Sequence, residues 1–341
     1  MIPPLTAFRP RTPWLGGTLQ TLRALRWPCP ASLPHGHRLW LPLPDGDALA
    51  AMLHLPTKAA PRPTKTAPRP LAVLVHGLTG TEDDPCLREA AAGLLRRGFP
   101  VLRLNLRGSA RSLARSTSHY HLGRAADLAD ALATLPEALT GPGVVLAGWS
   151  LGGALVLNLL GGEHRGLPPI LGAAAISPPL QPEQAFAAID AAPVLGRALL
   201  ALYRREVLAV PAKDLPEPLR QAARGAGSLV DFETHVTAPR FGYPSYAVFC
   251  EVNRPAAALP RIRVPTLLLM AEDDPLVPIG SMAGIDWAAC PAVLPLAVAG
   301  GGHCGFYDRA RESLAVRALG AFFEGLGVRS QAAASAPSPP G

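Results

Sequence analysis

From Leu71 onward the chain alternates short, almost uncharged apolar runs with helical stretches, and this alternation limits the fold more than any other feature. LAVLV (71–75), VLRLNL (101–106), VVLAGW (144–149), ILGAAAI (170–176), PTLLLMA (265–271) and AVLPLAV (292–298) are strand-length. Apart from Arg103 and Asn105 in the second run, they lack the polar alternation of a sheet that is wet on one face. Between them lie PCLREAAAGLLRRG (85–98), closed by Gly98, then GRAADLADALATL (123–135) and LGGALVLNLLG (151–161). DRARESLAVRALGAFFEGL (308–326) follows the last run. Strands that alternate with helices pair in parallel, and the helices then cover both faces of the sheet. Upstream, RLWLPLPDGDALAAMLHL (38–55) reads as two further strands around an Asp45-Gly46 turn. The expectation is an α/β fold with a mostly parallel, eight-stranded sheet.

Three stretches fall outside the rhythm. Residues 1–37 are rich in Pro, Arg and Trp with weak periodicity, and read as an N-terminal extension packed on the core. TKAAPRPTKTAPRP (57–70) is of low complexity and reads as a solvated loop inside one domain. Between Ile176 and Pro265 no buried strand is evident, only helix-like segments (EQAFAAID, GRALLALYRREVL) and the aromatic group Phe232, Phe241, Tyr243, Tyr246 and Phe249. An insertion of that size on an α/β core acts as a cap over a pocket. The expected division is therefore a core of 38–178 and 261–326, a cap insertion of 179–260 and a disordered tail from 327. The cap aromatics either line a pocket or merely pack.

Charge and cysteine content remove several classes of function. Nine of the 32 Lys and Arg but only two of the 25 Asp and Glu lie in residues 1–70, which accounts for the whole net charge of +7. The remaining chain is balanced, so its body is not a nucleic-acid surface. Only the N-terminal stretch offers a weak peripheral contact with an anionic membrane. The 5 cysteines are scattered without a CxxC pair, which signals neither a zinc site nor a disulfide framework and points to a reduced, cytoplasmic setting. The uncharged run from Thr140 to Gly162 is long enough to span a membrane, yet its glycines and central Trp-Ser-Leu read better as strand, sharp turn and helix.

That turn, Gly148-Trp149-Ser150-Leu151-Gly152, carries the chemistry. A serine on a tight strand-to-helix turn is held in a strained backbone, and glycines two before and two after avoid collisions. The bare pattern is weak evidence; its place between an uncharged strand and an apolar helix makes it strong. A serine hydroxyl needs a histidine base, and that histidine needs a carboxylate to fix its tautomer, in the chain order Ser, acid, His. Downstream, Glu272-Asp273-Asp274-Pro275 follows one strand and Gly300-Gly301-Gly302-His303 the next. Asp274 is favoured over Asp273 because two residues and then Val-Pro follow it; Asp273 is then a neighbour or helix cap. Two backbone N–H donors must hold an oxyanion: Leu151, after the nucleophile, and Leu78, in His76-Gly77-Leu78-Thr79-Gly80. Beside Gly77, His76 reads as a loop-organising residue rather than a second base. His119 and His121 lack a third metal ligand, and Cys304 reads as a small packing residue.

Taken together these motifs resemble the α/β-hydrolase superfamily, and within it the YheT-like hydrolases of bacteria, relatives of the α/β-hydrolase-domain lipases of animals and similar plant proteins. The resemblance covers about residues 8–326. It is carried by Phe8-Arg9-Pro10, Leu19-Gln20-Thr21, Asp45-Gly46, His76-Gly77-Leu78-Thr79-Gly80, Asn105-Leu106-Arg107-Gly108 and Tyr120-His121. It continues through Gly148-Trp149-Ser150-Leu151-Gly152-Gly153, Ser177-Pro178-Pro179-Leu180, Val236-Thr237-Ala238-Pro239, Asp273-Asp274-Pro275 and Gly301-Gly302-His303-Cys304-Gly305-Phe306. The resemblance implies an α/β-hydrolase fold with a helical cap, a Ser150, Asp274 and His303 triad, and carboxylic-ester hydrolysis through an acyl-enzyme without a cofactor. The chain departs from the family at Thr18, Ser109 and Ala247-Val248-Phe249-Cys250, where His, Cys and a Tyr-Tyr pair are usual.

The expected function is that of a serine esterase acting on a small-molecule ester, with a short- to medium-chain acyl group or a lipid-like character. The same residues would serve a thioesterase, an amidase or an acyltransferase. A non-catalytic binding protein is the remaining reading, against which a complete triad argues.

Overall fold

The computed structural model describes residues 8–26, 31–57 and 68–334, with side chains as far as 326. Eight strands form one sheet: β1 (His37–Pro42), β2 (Ala48–His54), β3 (Leu71–Val75), β4 (Val101–Leu104), β5 (Val144–Trp149), β6 (Ile170–Ile176), β7 (Thr266–Ala271) and β8 (Val293–Val298). Their order is β1-β2-β4-β3-β5-β6-β7-β8. The β1–β2 and β2–β4 pairs are antiparallel, and every later pair is parallel.

The apolar runs explain why the centre of the sheet is buried on both faces. In β5 every residue is buried, and successive side chains point to opposite sides. Leu146 packs with Leu128 and Leu132 of the helix Ala125–Ala133 and with Leu155 and Leu159 of the helix Leu151–Gly161. Val145 and Ala147 pack with Leu87 and Leu94 of the helix Pro85–Arg96 and with Leu319 and Phe323 of the helix Leu314–Ala334. At about 1.5–3 kcal/mol for each large aliphatic side chain removed from water, these two layers are the main source of stability. The β1–β2 turn is held separately. Arg107, with its side chain almost wholly buried, bonds Asp127 through two parallel N–H···O contacts of 2.7 and 2.8 Å, and also reaches Asp45 and Asp47.

Between β6 and β7 the regular elements are all helical, joined by loops, and the longest are Pro182–Asp190, Pro193–Ala209 and Glu217–Gly225. Proline opens each of these in the first turn, where its missing N–H costs nothing. No single helix among the described residues is long and apolar enough to cross a membrane.

The structure departs from the sequence expectations in four places. The N-terminal extension contains a helix, Gly17–Arg26, whose buried face carries Gln20 and Thr21, so its inward side lacks the apolar signature of a packed helix. The strand expected over 101–106 stops at Leu104, because Asn105 and Leu106 turn to bond Glu82 and His76. The last helix begins at Leu314 rather than 308, since Asp308 instead pairs with Pro10 and Arg317. It also runs to Ala334, past the tail expected from 327. Most of the 57–70 loop, and residues 335–341, lie outside the described residues.

Candidate active site

Ser150 ends β5 and opens the helix Leu151–Gly161 with φ 51° and ψ −122°. A residue with a Cβ pays a steric cost there, so the surroundings must over-determine it. They do so by closeness. A Cβ on Gly148 would lie 2.2 Å from the Gly152 carbonyl oxygen, and one on Gly152 would lie 2.4 Å from that of His76. The serine is tied on both sides, donating its N–H to Ile176 O at 2.8 Å and accepting the Ala154 N–H at 3.1 Å.

Two loops at the same end of the sheet complete a hydrogen-bonded chain. Ser150 Oγ is 2.8 Å from His303 Nε2, and His303 Nδ1 is 2.9 Å from Asp274 Oδ2. With a carboxylate as its partner, Nδ1 carries the proton, and Nε2 is left to accept from the serine. Asp274 follows β7, and its other oxygen accepts the N–H groups of Leu276 and Val277 at 2.9 Å each, which fixes the orientation of the carboxylate. Burial disfavours a charged imidazole, but the Asp274 charge and hydrogen bond outweigh it, so the His303 pKa stands well above its ordinary value. Asp273 does not reach the histidine ring; it accepts the Gly302 N–H at 2.8 Å and so holds the loop that carries His303.

The His76–Gly80 loop faces the serine. A Cβ on Gly77 would lie 3.0 Å from Ser150 Cβ. His76 Nδ1 donates to Gly77 O at 2.7 Å, while its Nε2 accepts the Leu106 N–H at 3.0 Å. This pattern needs the neutral ring, and burial lowers the pKa to about 4. Gly77 C=O and Leu78 N–H share one planar peptide and point in opposite directions, so clamping the carbonyl aims the N–H. Leu151 N–H, in the first helical turn, has no partner within its own helix. Leu78 and Leu151 line one cavity with Ser150 and His303.

That cavity, about 830 Å³ including its open mouth, is walled mostly by apolar side chains, among them Leu122, Phe186, Ile189, Leu199 and Leu276. Phe186, Ile189 and Leu199 come from the inserted helices. The five aromatics singled out in the sequence do not line it. Phe232 packs on Tyr203, Phe241 on His121, Tyr243 on Phe249, and Tyr246 on Phe186. His119 and His121 are buried among these rings, and no group of three metal-ligating side chains occurs among the described residues.

Sequence reasoning missed Gln20 and Thr21. Thr21 Oγ1 accepts the His303 N–H at 2.8 Å. Gln20 bonds Tyr307 twice at 2.8 Å, once through each side-chain atom. Both are fully buried, on a helix almost 300 residues from the loop it holds. Only the presence of Leu19-Gln20-Thr21 in the resemblance hinted at them.

Comparison with known proteins bears on the family and the fold. The sequence model described as "Alpha/beta hydrolase family" matches residues 72–316. The chain is 26% identical over 281 residues to medium-chain fatty acid ethyl ester synthase/esterase 2 of Saccharomyces cerevisiae, covering 74% of this chain and 61% of that protein. To the monoacylglycerol lipase of the same yeast it is 25% identical over 248 residues, 70% of this chain and 55% of the relative. It thus spans little more than half the length of these two relatives. To the Escherichia coli protein YheT it is 28% identical over 247 residues, 70% of this chain and 69% of that one. Among solved structures, 2,6-dihydroxy-pseudo-oxynicotine hydrolase superposes with a TM-score of 0.57 at 15% identity, over 92% of this chain and 72% of that one. An esterase of Pyrococcus furiosus does so with a TM-score of 0.51 at 15% identity, over 89% and 96%. At such identities the solved structures speak to fold alone.

Proposed function

This chain belongs to the alpha/beta hydrolase family, and from that premise we propose that it is a serine esterase in which Ser150, His303 and Asp274 cleave carboxylic esters through an acyl-enzyme. In this reading Ser150 Oγ attacks the ester carbonyl while His303 Nε2 takes its proton. The N–H groups of Leu78 and Leu151 receive the oxyanion. His303 then gives the proton to the departing alkoxide, and water repeats the sequence on the acyl group. Asp274 keeps the ring in the Nδ1–H tautomer and offsets the positive charge that forms. The inserted helices act as a cap, and their apolar wall suits a short- to medium-chain acyl group.

The observation that carries this reading is the unbroken chain from Asp274 through His303 to a strained serine at the floor of an apolar cavity. The names of the yeast relatives, an ester synthase/esterase and a lipase, favour an ester over a thioester or amide. A fluorophosphonate probe tests it. The expected result is an adduct confined to the peptide with Ser150, absent from Ser150→Ala and from heat-denatured protein, together with hydrolysis of p-nitrophenyl esters. A folded chain that takes no probe, even with the cap helices removed, would overturn it.

A further inference from the structure

The peptides on either side of Leu78 are held in different ways. The preceding one is clamped locally, by His76 Nδ1 and the Gly80 N–H on Gly77 O. The following one is clamped from a distance: Thr79 N–H donates to the phenol oxygen of Tyr120 at 2.7 Å. Tyr120 comes from the segment between β4 and the helix Ala125–Ala133, and its hydroxyl donates to Glu206 Oε2, again at 2.7 Å. Glu206 belongs to Pro193–Ala209, the longest of the inserted helices.

A phenol has one proton to give. With that proton committed to Glu206, an oxygen lone pair is turned toward the Thr79 N–H, so the carboxylate decides which way the hydroxyl faces. The ring cannot swing away. Tyr120 is 1% exposed, lies edge-on to His76 at 5.9 Å and accepts the Tyr203 hydroxyl on its backbone oxygen at 3.3 Å. Burial, reinforced by the Glu206 charge, pushes the phenol pKa well up, so the proton is present throughout the working range. Burial also raises Glu206 to about 7, with Asp84 adding to the effect, yet Oε2 can accept in either protonation state. What matters is an acceptor at that place, not its charge. Thr79 is what needs holding, because it is β-branched with φ 58°, a conformation that neighbours must enforce.

We propose that Glu206, acting through Tyr120, is a positioning residue that fixes the aim of the Leu78 N–H, so that the inserted helices complete the oxyanion hole as well as walling the cavity. The inference rests on the role given to Leu78 above.

The test compares kcat and KM for p-nitrophenyl butyrate, and the rate of fluorophosphonate capture, in the full chain and four variants. Glu206→Leu and Tyr120→Phe are expected to lower kcat and probe capture by roughly ten- to a hundredfold with KM within about twofold, somewhat less than losing an oxyanion donor outright. The double variant should be no worse than the poorer single one, because both changes break one linkage. Glu206→Gln, which keeps an acceptor oxygen, should stay within about threefold of the parent. A merely structural contact would lower the melting temperature and leave kcat alone. If Glu206→Leu does not fold, Tyr120→Phe tests the same bond from the core side. A parent chain that takes no probe at Ser150 would overturn the esterase reading and this inference with it. An active parent with equally active Tyr120→Phe or Glu206→Leu, or with Glu206→Gln as poor as Glu206→Leu, would overturn this inference alone.

Discussion

Thr21→Val tests whether the N-terminal helix belongs to the active site. The Thr21 hydroxyl is fully buried, donates to Gly17 O at 2.7 Å and accepts the His303 N–H at 2.8 Å. Valine keeps the shape and removes both bonds. Gly17 O still has the backbone of its own helix, so the main loss is at His303, whose N–H becomes a buried donor without an acceptor. Such a group costs about 1–3 kcal/mol, which lowers the melting temperature of a chain this size by several degrees. The kinetic consequence should be larger. His303 follows Gly301 and Gly302, both at positive φ, and a loop released at His303 N lets the imidazole drift from Ser150. Displacement by about 1 Å can cost a hundredfold in rate. The expectation is a fall in kcat of roughly ten- to a hundredfold with KM little changed, and recovery in Thr21→Ser, which restores the hydroxyl. Steady-state kinetics on a p-nitrophenyl ester, alongside thermal melts, decides the matter. Unchanged kcat in a Thr21→Val chain, whatever its melting temperature, would refute the reasoning.

Three further outcomes follow from the same geometry. In the proposed mechanism the neutral imidazole is the base and the His303 pKa is raised, so kcat/KM should fall as pH drops through a value above the ordinary 6.5; Asp274→Asn should move that acid limb down and cut kcat by roughly 10⁴-fold, as a pH–rate profile would show. Gly152→Ala should prevent folding or give mostly insoluble protein on expression, since its Cβ would meet the carbonyl oxygens of His76 and Val75 at 2.4 and 2.5 Å, whereas Gly280→Ala, with nothing within 4 Å, should melt like the parent. Phe186→Ala enlarges the acyl wall and should shift kcat/KM across a p-nitrophenyl ester series toward longer chains, by up to about fourfold for each methylene the new space accepts.

The parts of the site that were legible in the sequence are those that the local backbone dictates. Gly148 and Gly152 mark the turn at Ser150 because only residues without a Cβ fit there. Asp274 and His303 could be placed because each follows an apolar strand of a parallel sheet, whose carboxyl ends share one edge. What stayed hidden depends on distant packing. Thr21 meets His303 across 282 positions, and Tyr120 meets Glu206 across 86. Nothing in either local pattern distinguishes these residues from their neighbours. The cap aromatics stayed ambiguous for a different reason. Their size marks them for burial, but burial against one another and against residues 119–121 looks the same in sequence as burial around a ligand.

The hidden contacts share a physical task. Six non-glycine residues among those described adopt positive φ, and five of them, Thr79, Ser150, Ser177, Cys304 and Phe306, lie in the nucleophile turn or the loops around it. At about 1–3 kcal/mol each, such conformations persist only where the surroundings hold them. Each is held by a bond from another element. Thr79 N–H is taken by Tyr120, Ser150 N–H by Ile176 O, Ser177 N–H by Leu269 O and Cys304 N–H by Ser177 Oγ. Phe306 receives the Leu314 N–H on its carbonyl oxygen. Of the contacts hidden in the sequence, Tyr120 holds the strained Thr79 backbone directly, while Gln20 and Thr21 hold Tyr307 and His303, the neighbours of strained Phe306 and Cys304. A chain that lost them could retain both packed layers of its core and still lose the relative placement of hydroxyl, imidazole and oxyanion donors on which the proposed mechanism depends.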